Sequence, residues 1–332
     1  MAAQGFGVSI TGLGKYIPKK LVTTEALAKK LRISPDGILE RTGIKTRYFV
    51  SGKETASWIS TQAAKQALKR SRVPAKSINL IMGCTTSGDY AFPAMACKVQ
   101  HLLGASQAGA FDLSASASGF PTAVALAADR LQNDPTVQHV LVIGTAVQSP
   151  YIDWNNPKMA GLLGDASAAA VLSRVPKGYG VLAHEILSQG ENYDAARLRG
   201  GGSSFPMRRA NVNKKLQYIE MDGVTMGRAF LKDQPAVMAR ALKKVGLDFA
   251  DVHLFVFHQA NLRLIQFLMD RMKLGMDKTF MTAGKLANTA EASIPITLCE
   301  AIEAGKIKRG DIIVLSGLGA GCILSVTVMK WY

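Results

Sequence analysis

A chain of 332 residues, 48% apolar and with 31 glycines, has the material for two domains or one large duplicated one built around an extensive α/β core. Forty Lys and Arg against 24 Asp and Glu give a formal charge of +16, which favours an anionic partner. Nucleic acid is not indicated, because no basic run is interleaved with aromatics and no zinc-finger or RNA-binding signature occurs. The N-terminal stretch lacks a signal pattern and the longest apolar runs are too short to span a bilayer, so a cytoplasmic protein away from membranes is expected.

In chain order, "GVSITGLG" predicts a strand and "TASWISTQAAKQALKRS" an amphipathic helix. "INLIMGCTT" and "VQHVLVIGTAV" are continuous apolar runs of the buried-strand type, with the Ala-rich helix "PTAVALAADRLQ" between them. "ASAAAVLSRV" and "YGVLAHEILSQ" are expected to form a hairpin turning at Pro176, Lys177 and Gly178. "LRGGGSSFP" (198–206) and the basic "MRRANVNKK" (207–215) read as solvated loops. "VTMGRAFLKDQPAVMARALKKVGL" predicts helix broken near Pro235. "VHLFVFHQA" then predicts a strand, "ASIPITLCEAIEAGKI" a helix, and "GDIIVLSGLGAG" and "CILSVTVMKW" two strands.

The second half repeats the order of the first. Leu80 and Leu254 are 174 residues apart, Val140 and Ile312 are 172 apart, and each strand pair encloses a turn of small residues followed by a helix. Two duplicated halves are therefore expected, residues 1–178 and 179–332.

Few residues are equipped for chemistry. Cys84, Cys97, Cys299 and Cys322 form no CxxC pair or metal-ligand spacing, and buried free thiols are the expectation for them, with no metal site. His258 follows an apolar strand, where sites gather in α/β sheets. Asn288 precedes a helix and reads either as its cap or as a hydrogen-bond donor into a site. "GLGAG" (317–321) is followed by a strand, so it is no dinucleotide fingerprint, but it can present N–H groups to an oxyanion.

"RTGIKTR", "TTSGDYAFPAMACKVQ", "FDLSASASGF", "LLGDASAAAVL", "HQANLRLI", "ANTAEASIP" and "GLGAG" occur in that order. Together they resemble β-ketoacyl-[acyl carrier protein] synthase III nearly end to end. The resemblance implies a thiolase-like fold, two duplicated halves in a five-layer αβαβα arrangement. It implies a decarboxylative Claisen condensation of an acyl-CoA with malonyl-acyl carrier protein, needing no cofactor beyond the CoA thioester substrate. The family's Cys-His-Asn set falls on Ala117, His258 and Asn288, so the nucleophile position holds alanine, which forms no thioester. Ser116 and Ser118 are expected to point elsewhere. Two origins fit the alanine: a Cys-to-Ala replacement made to trap a complex, or a homologue that has lost acyl transfer while keeping binding or decarboxylation.

The resemblance also implies an oxyanion hole from the N–H groups of Ala117 and Ala320, and substrate binding by Asn261, Arg41, Arg228 and Arg263 near the CoA entrance. Phe92 would close the acyl pocket of a homodimer partner. Gly37 stands where a tryptophan is common and Gly227 where a bulky gate is common, which suggests a wider tunnel. The +16 charge suits an acidic acyl carrier protein. Two other readings remain open: a specialised homologue of secondary metabolism (polyketide, alkylquinolone or pyrone starters, or acyl transfer), and a non-catalytic subunit that holds CoA or carrier protein.

Overall fold

The structure is a computed structural model and describes residues 5–208 and 215–332. The strands are β1 (Phe6–Tyr16), β2 (Lys20–Thr23), β3 (Thr46–Phe49), β4 (Leu80–Cys84), β5 (Gly109–Leu113), β6 (His139–Ala146), β7 (Ala166–Pro176), β8 (Gly180–Ser188), β9 (Ala196–Leu198), β10 (Ile219–Met221), β11 (Leu254–Phe257), β12 (Ile312–Gly319) and β13 (Ile323–Lys330). The helices are α1 (Thr24–Leu31), α2 (Asp36–Thr42), α3 (Ala56–Ser71), α4 (Met95–Leu103), α5 (Gly119–Asn133), α6 (Pro157–Ala160), α7 (Gly223–Lys232), α8 (Gln234–Lys243), α9 (Leu262–Arg271), α10 (Ala283–Leu286) and α11 (Ser293–Glu303).

Two sheets carry the fold, with strand orders β1-β7-β6-β4-β5 and β11-β12-β13-β8. Their pairing directions match. β4 runs parallel to β6 and β11 to β12, whereas β6–β7, β7–β1, β12–β13 and β13–β8 are antiparallel. Where the first sheet adds β5, the second has a single parallel bridge between Phe255 and Thr279. The first sheet is drawn from residues 6–176 and the second from 180–330.

Helices α5 and α11 lie between the sheets and touch both, α3 and α4 cover the outside of the first, and α8 covers the outside of the second. The layers therefore alternate αβαβα. The central layer is a continuous apolar core in which Phe120, Val124, Leu131, Ile294 and Leu298 meet Val142, Leu172, Val256 and Leu315. Burial on both faces explains the lack of alternation in the runs that became β6 and β7.

The hairpin expected around Pro176–Gly178 does not form. Both segments are strands, but β7 pairs with β1 and β6, while β8 pairs with β13 across the molecule. β7 already has a partner on each side, β1 and β6, so no edge is left for β8, and its apolar "AAAVL" is covered on both faces of the first sheet. The break near Pro235 is confirmed, with α7 ending at Lys232 and α8 starting at Gln234. Of the basic stretch 207–215, residues 209–214 lie outside the described residues, and the 198–206 segment is a largely exposed loop. Cys84, Cys299 and Cys322 are buried free thiols, but Cys97 is exposed on α4, where its Sγ reaches the Ala110 carbonyl of the edge strand β5 at 3.5 Å.

Phe120 is fully buried where α5 meets both sheets. Phe120→Ala is expected to cost about 3–5 kcal/mol, read as a lower urea midpoint at unchanged slope.

Candidate active site

A cavity of about 180 Å³ opens where the two halves meet, at the carboxyl ends of β4, β11 and β12. Thr86 and Ser87 reach it from beyond β4, His258 from beyond β11, and Leu318 and Ala320 from the end of β12. Asn288 and Ala290 line it from the turn before α11, and Ser116 from the turn before α5.

These two turns are built alike. Each is a single 3₁₀ turn, 116–118 or 290–292, running directly into a helix that has proline at its third residue. Each opens with a positive φ on a non-glycine residue, +48° at Ser116 and +37° at Ala290. Such backbone is strained and tends to gather at functional sites. Each turn sits on the central sheet of the opposite half. A Cβ on Gly317 of β12 would stand 2.7 Å from the Ala117 carbonyl oxygen, and one on Gly144 of β6 would stand 2.2 Å from that of Glu291. Only glycine permits either approach.

His258 and Asn288 are both buried against the cavity. Burial lowers the His258 pKa to about 4, so the ring is neutral at physiological pH. Its Nδ1 lies 2.7 Å from the Ser293 hydroxyl. That oxygen is also 2.8 Å from the Ala290 carbonyl and accepts from the Gln259 N–H at 3.3 Å. Asn288 is held on three sides. Its Oδ1 accepts from the Ala290 N–H at 2.9 Å, its carbonyl accepts from Gln148 Nε2 at 2.9 Å, and its N–H donates to Leu162. With Oδ1 engaged, the Nδ2 amide is the group left to donate. Cap-like bonding and a place on the cavity wall thus coexist in this residue.

The other sequence-derived candidates divide. Ala320 lines the cavity, and Ala117 is buried at the core of its turn. Ser118 turns away to donate to the Ala115 carbonyl at 2.5 Å, but Ser116 faces the cavity, against expectation, because the positive φ rotates it there. Asn261 caps α9, its Oδ1 accepting from the Leu264 N–H at 2.8 Å, and does not line the cavity.

Arg41 and Arg263 come together outside the cavity on the paired ends of α2 and α9, where Arg263 Nε donates to the Glu40 carbonyl. Arg228 is exposed on α7, which packs on α9, with Gly227 beside it, where a Cβ would stand 3.8 Å from Leu264 Cδ1. Among the described residues these three arginines make no ion pair. Gly37 faces open space, and Phe92 projects, 85% exposed, beyond the carboxyl end of β4.

Sequence reading overlooked Thr86, Ser293 and Glu291, together with the β9–β10 ribbon whose Arg197 and Met221 wall the cavity. Glu291 is 1% exposed and accepts from the Thr86 hydroxyl at 2.7 Å, while its Oε2 meets no donor among the described residues. Burial raises its pKa to about 7, against the opposing pull of the Thr86 bond. An acid within "NTAEASIP" was the available signal.

The comparisons place the fold in a known family. The family model for the 3-oxoacyl-[acyl-carrier-protein] synthase III matches residues 111–190, and that for its C-terminal region matches 242–331. The β-ketoacyl-[acyl-carrier-protein] synthase III of Syntrophomonas wolfei is 36% identical over 98% of this chain and 97% of its own length. The crystal structure of the synthase III of Aquifex aeolicus superposes with a TM-score of 0.90 at 33% identity, covering 98% of this chain and 100% of the other. The priming β-ketosynthase of the R1128 polyketide pathway superposes at 0.90 with 26% identity over 100% and 98%. The fold and site define a thiolase-fold condensing enzyme of the acyltransferase class. The chain belongs to the 3-oxoacyl-[acyl-carrier-protein] synthase III family.

The buried acid gives a test. An unfolded Glu291 releases its proton near pH 4.5 and the folded one near 7, so folding loses stability as pH rises across that interval and does not regain it above. Glu291→Gln removes this loss, and its stability relative to the parent should grow by about 3 kcal/mol between pH 4.5 and 7.5 in urea melts. The His258 contribution has the opposite slope, falling as pH drops from 6.5 to about 4, and cancels because both proteins carry it.

Proposed function

We propose that this chain binds CoA and acyl carrier protein thioesters and catalyses the enolate-forming half of a decarboxylative Claisen condensation. His258 and Asn288 hold the thioester oxygen of malonyl-acyl carrier protein as carbon dioxide leaves. The observation that carries this reading is their convergence on one cavity wall, with the imidazole kept neutral by burial. Donation from Nε2 requires the tautomer whose Nδ1 accepts the single Ser293 hydroxyl proton, drawing it from the Ala290 carbonyl 2.8 Å away. Two preorganised neutral donors in a dry pocket stabilise an enolate better than water does.

In the complete family reaction an acyl group waits on the residue at position 117 and is captured by that enolate, which releases a β-ketoacyl product. The N–H groups of residues 117 and 320 serve as its oxyanion hole in this reading, and the N-terminus of α5 supplies the favourable dipole. With alanine at 117, acylation there is closed.

CoA phosphates meet the unpaired Arg41, Arg228 and Arg263 outside the cavity, and the acidic carrier protein approaches along the same positive surface. A homodimer is supported by the exposed Tyr90 and Phe92, and by β5, the free edge of the first sheet, which exposes Phe111.

A second reading, priming of a polyketide rather than a fatty acid, is favoured by the R1128 neighbour and by the space that Gly227 leaves beside Leu264. A purely binding subunit is disfavoured, since it has no use for His258 and Asn288 aimed together into a cavity.

Incubated with malonyl-acyl carrier protein, the chain is expected to release carbon dioxide, and His258→Ala or Asn288→Ala to lower that rate about 100-fold. Equal rates in all three would remove the reading. The Arg41→Ala, Arg263→Ala double variant should raise KM for malonyl-CoA decarboxylation about tenfold at low salt with kcat nearly unchanged, and the difference should shrink in 0.5 M salt.

A further inference from the structure

Position 117 offers no nucleophile, but four hydroxyl-bearing residues line the same cavity: Thr86, Ser87, Ser116 and Tyr151. Ser87 Oγ is occupied by the Val147 N–H at 2.8 Å. Among the described residues, Ser116 and Tyr151 have no carboxylate or imidazole within hydrogen-bond distance. Thr86 alone has one. Its Oγ1 donates to Glu291 Oε1 at 2.7 Å, with the free Oε2 of that carboxyl behind it. A hydroxyl on a cavity wall joined to a buried carboxylate is the arrangement of a nucleophile and its base.

Stability does not account for Glu291. Its charged form is desolvated and no cation pairs with it among the described residues. Its place in the fold is informative. Glu291 is the middle residue of the 290–292 turn, and the middle residue of the matching 116–118 turn is Ala117. The half that lacks a nucleophile thus faces a half that carries an acid at the corresponding point.

We propose that Thr86 accepts the acyl group of an acyl thioester, with Glu291 as its general base, so that this cavity transfers acyl groups through an oxygen ester without a thiol at position 117. The inference rests on the thioester-binding reading above. Thr86 Oγ attacks the thioester carbonyl as its proton passes to Glu291 Oε1. The C–O bond forms and the C–S bond breaks, and the departing CoA thiolate takes the proton from Glu291. The products are CoA thiol, an acyl ester on Thr86 and a regenerated carboxylate. Cys84, on β4, is the titratable group facing Glu291, and burial keeps its thiol protonated and out of this exchange.

The test is intact-protein mass and peptide mapping after incubation with acetyl-CoA and octanoyl-CoA. It compares the parent chain with Thr86→Val, Thr86→Ser, Glu291→Gln and Ala117→Cys. The parent should gain one acyl mass on the peptide containing Thr86. Thr86→Ser should keep the adduct and Thr86→Val should lose it. Glu291→Gln should acylate about 100-fold more slowly. The parent's acylation rate should rise from pH 6 to 8, and that of Glu291→Gln should be flat. An adduct that persists in Thr86→Val or maps to Ser116 overturns the proposal. So does acylation of Ala117→Cys alone, an outcome that leaves the thioester-binding reading standing. Absence of an adduct on every form overturns the proposal, and the thioester-binding reading is then decided by the carbon dioxide release measured above.

Discussion

The whole site depends on two reciprocal backbone contacts. The 116–118 turn of the first half rests on Gly317 in the second sheet, and the 290–292 turn of the second half rests on Gly144 in the first. Neither approach tolerates a side chain at the glycine, so each half supplies the seat for the other half's turn. The contacts bring the starts of α5 and α11 together and place the strained residues Ser116 and Ala290 on one cavity wall. They also explain Gly317 and Gly319 of "GLGAG", which serve close packing between halves, whereas Gly321, at φ +77°, turns the chain into β13.

Around these seats, desolvation sets the electrostatics. The same burial drives His258 and Glu291 in opposite directions, each toward its neutral form. A neutral imidazole can act as a hydrogen-bond donor without attracting a counter-ion. A carboxyl that releases its proton near neutral pH can take up or return one during turnover. Charge is concentrated elsewhere. Much of the positive charge lies on the exterior, where Arg41, Arg228 and Arg263 make no ion pair among the described residues. The interior is thus arranged for an uncharged reaction centre and the exterior for anionic carriers.

The family relationship and the alanine at 117 have to be read together. Fold and family match a condensing enzyme, while alanine at 117 leaves no nucleophile at the position where the proposed reaction would carry its acyl group. The contact of Glu291 with Thr86 gives that gap a chemical context.

Much of this was legible in the sequence. The apolar runs fixed the strands because burial on both faces abolishes alternation, and the near-constant offset between the halves came through because the same elements recur in order. The positions of His258 and Asn288 on the cavity could be anticipated because a strand end and a helix start are local features. What residues share a cavity is not local. The partnership of Thr86 with Glu291, 205 positions apart, the turning of Ser116 into the cavity and the separation of β7 from β8 all depend on packing between halves. Adjacent residues could predict a hairpin at Gly178, but only the assembled sheets decided that each strand had a better-buried partner elsewhere. Sequence alone therefore determined the elements and the order in which they recur. Tertiary structure decided which side chains face one another, because that follows from how two sheets and two turns exclude water together.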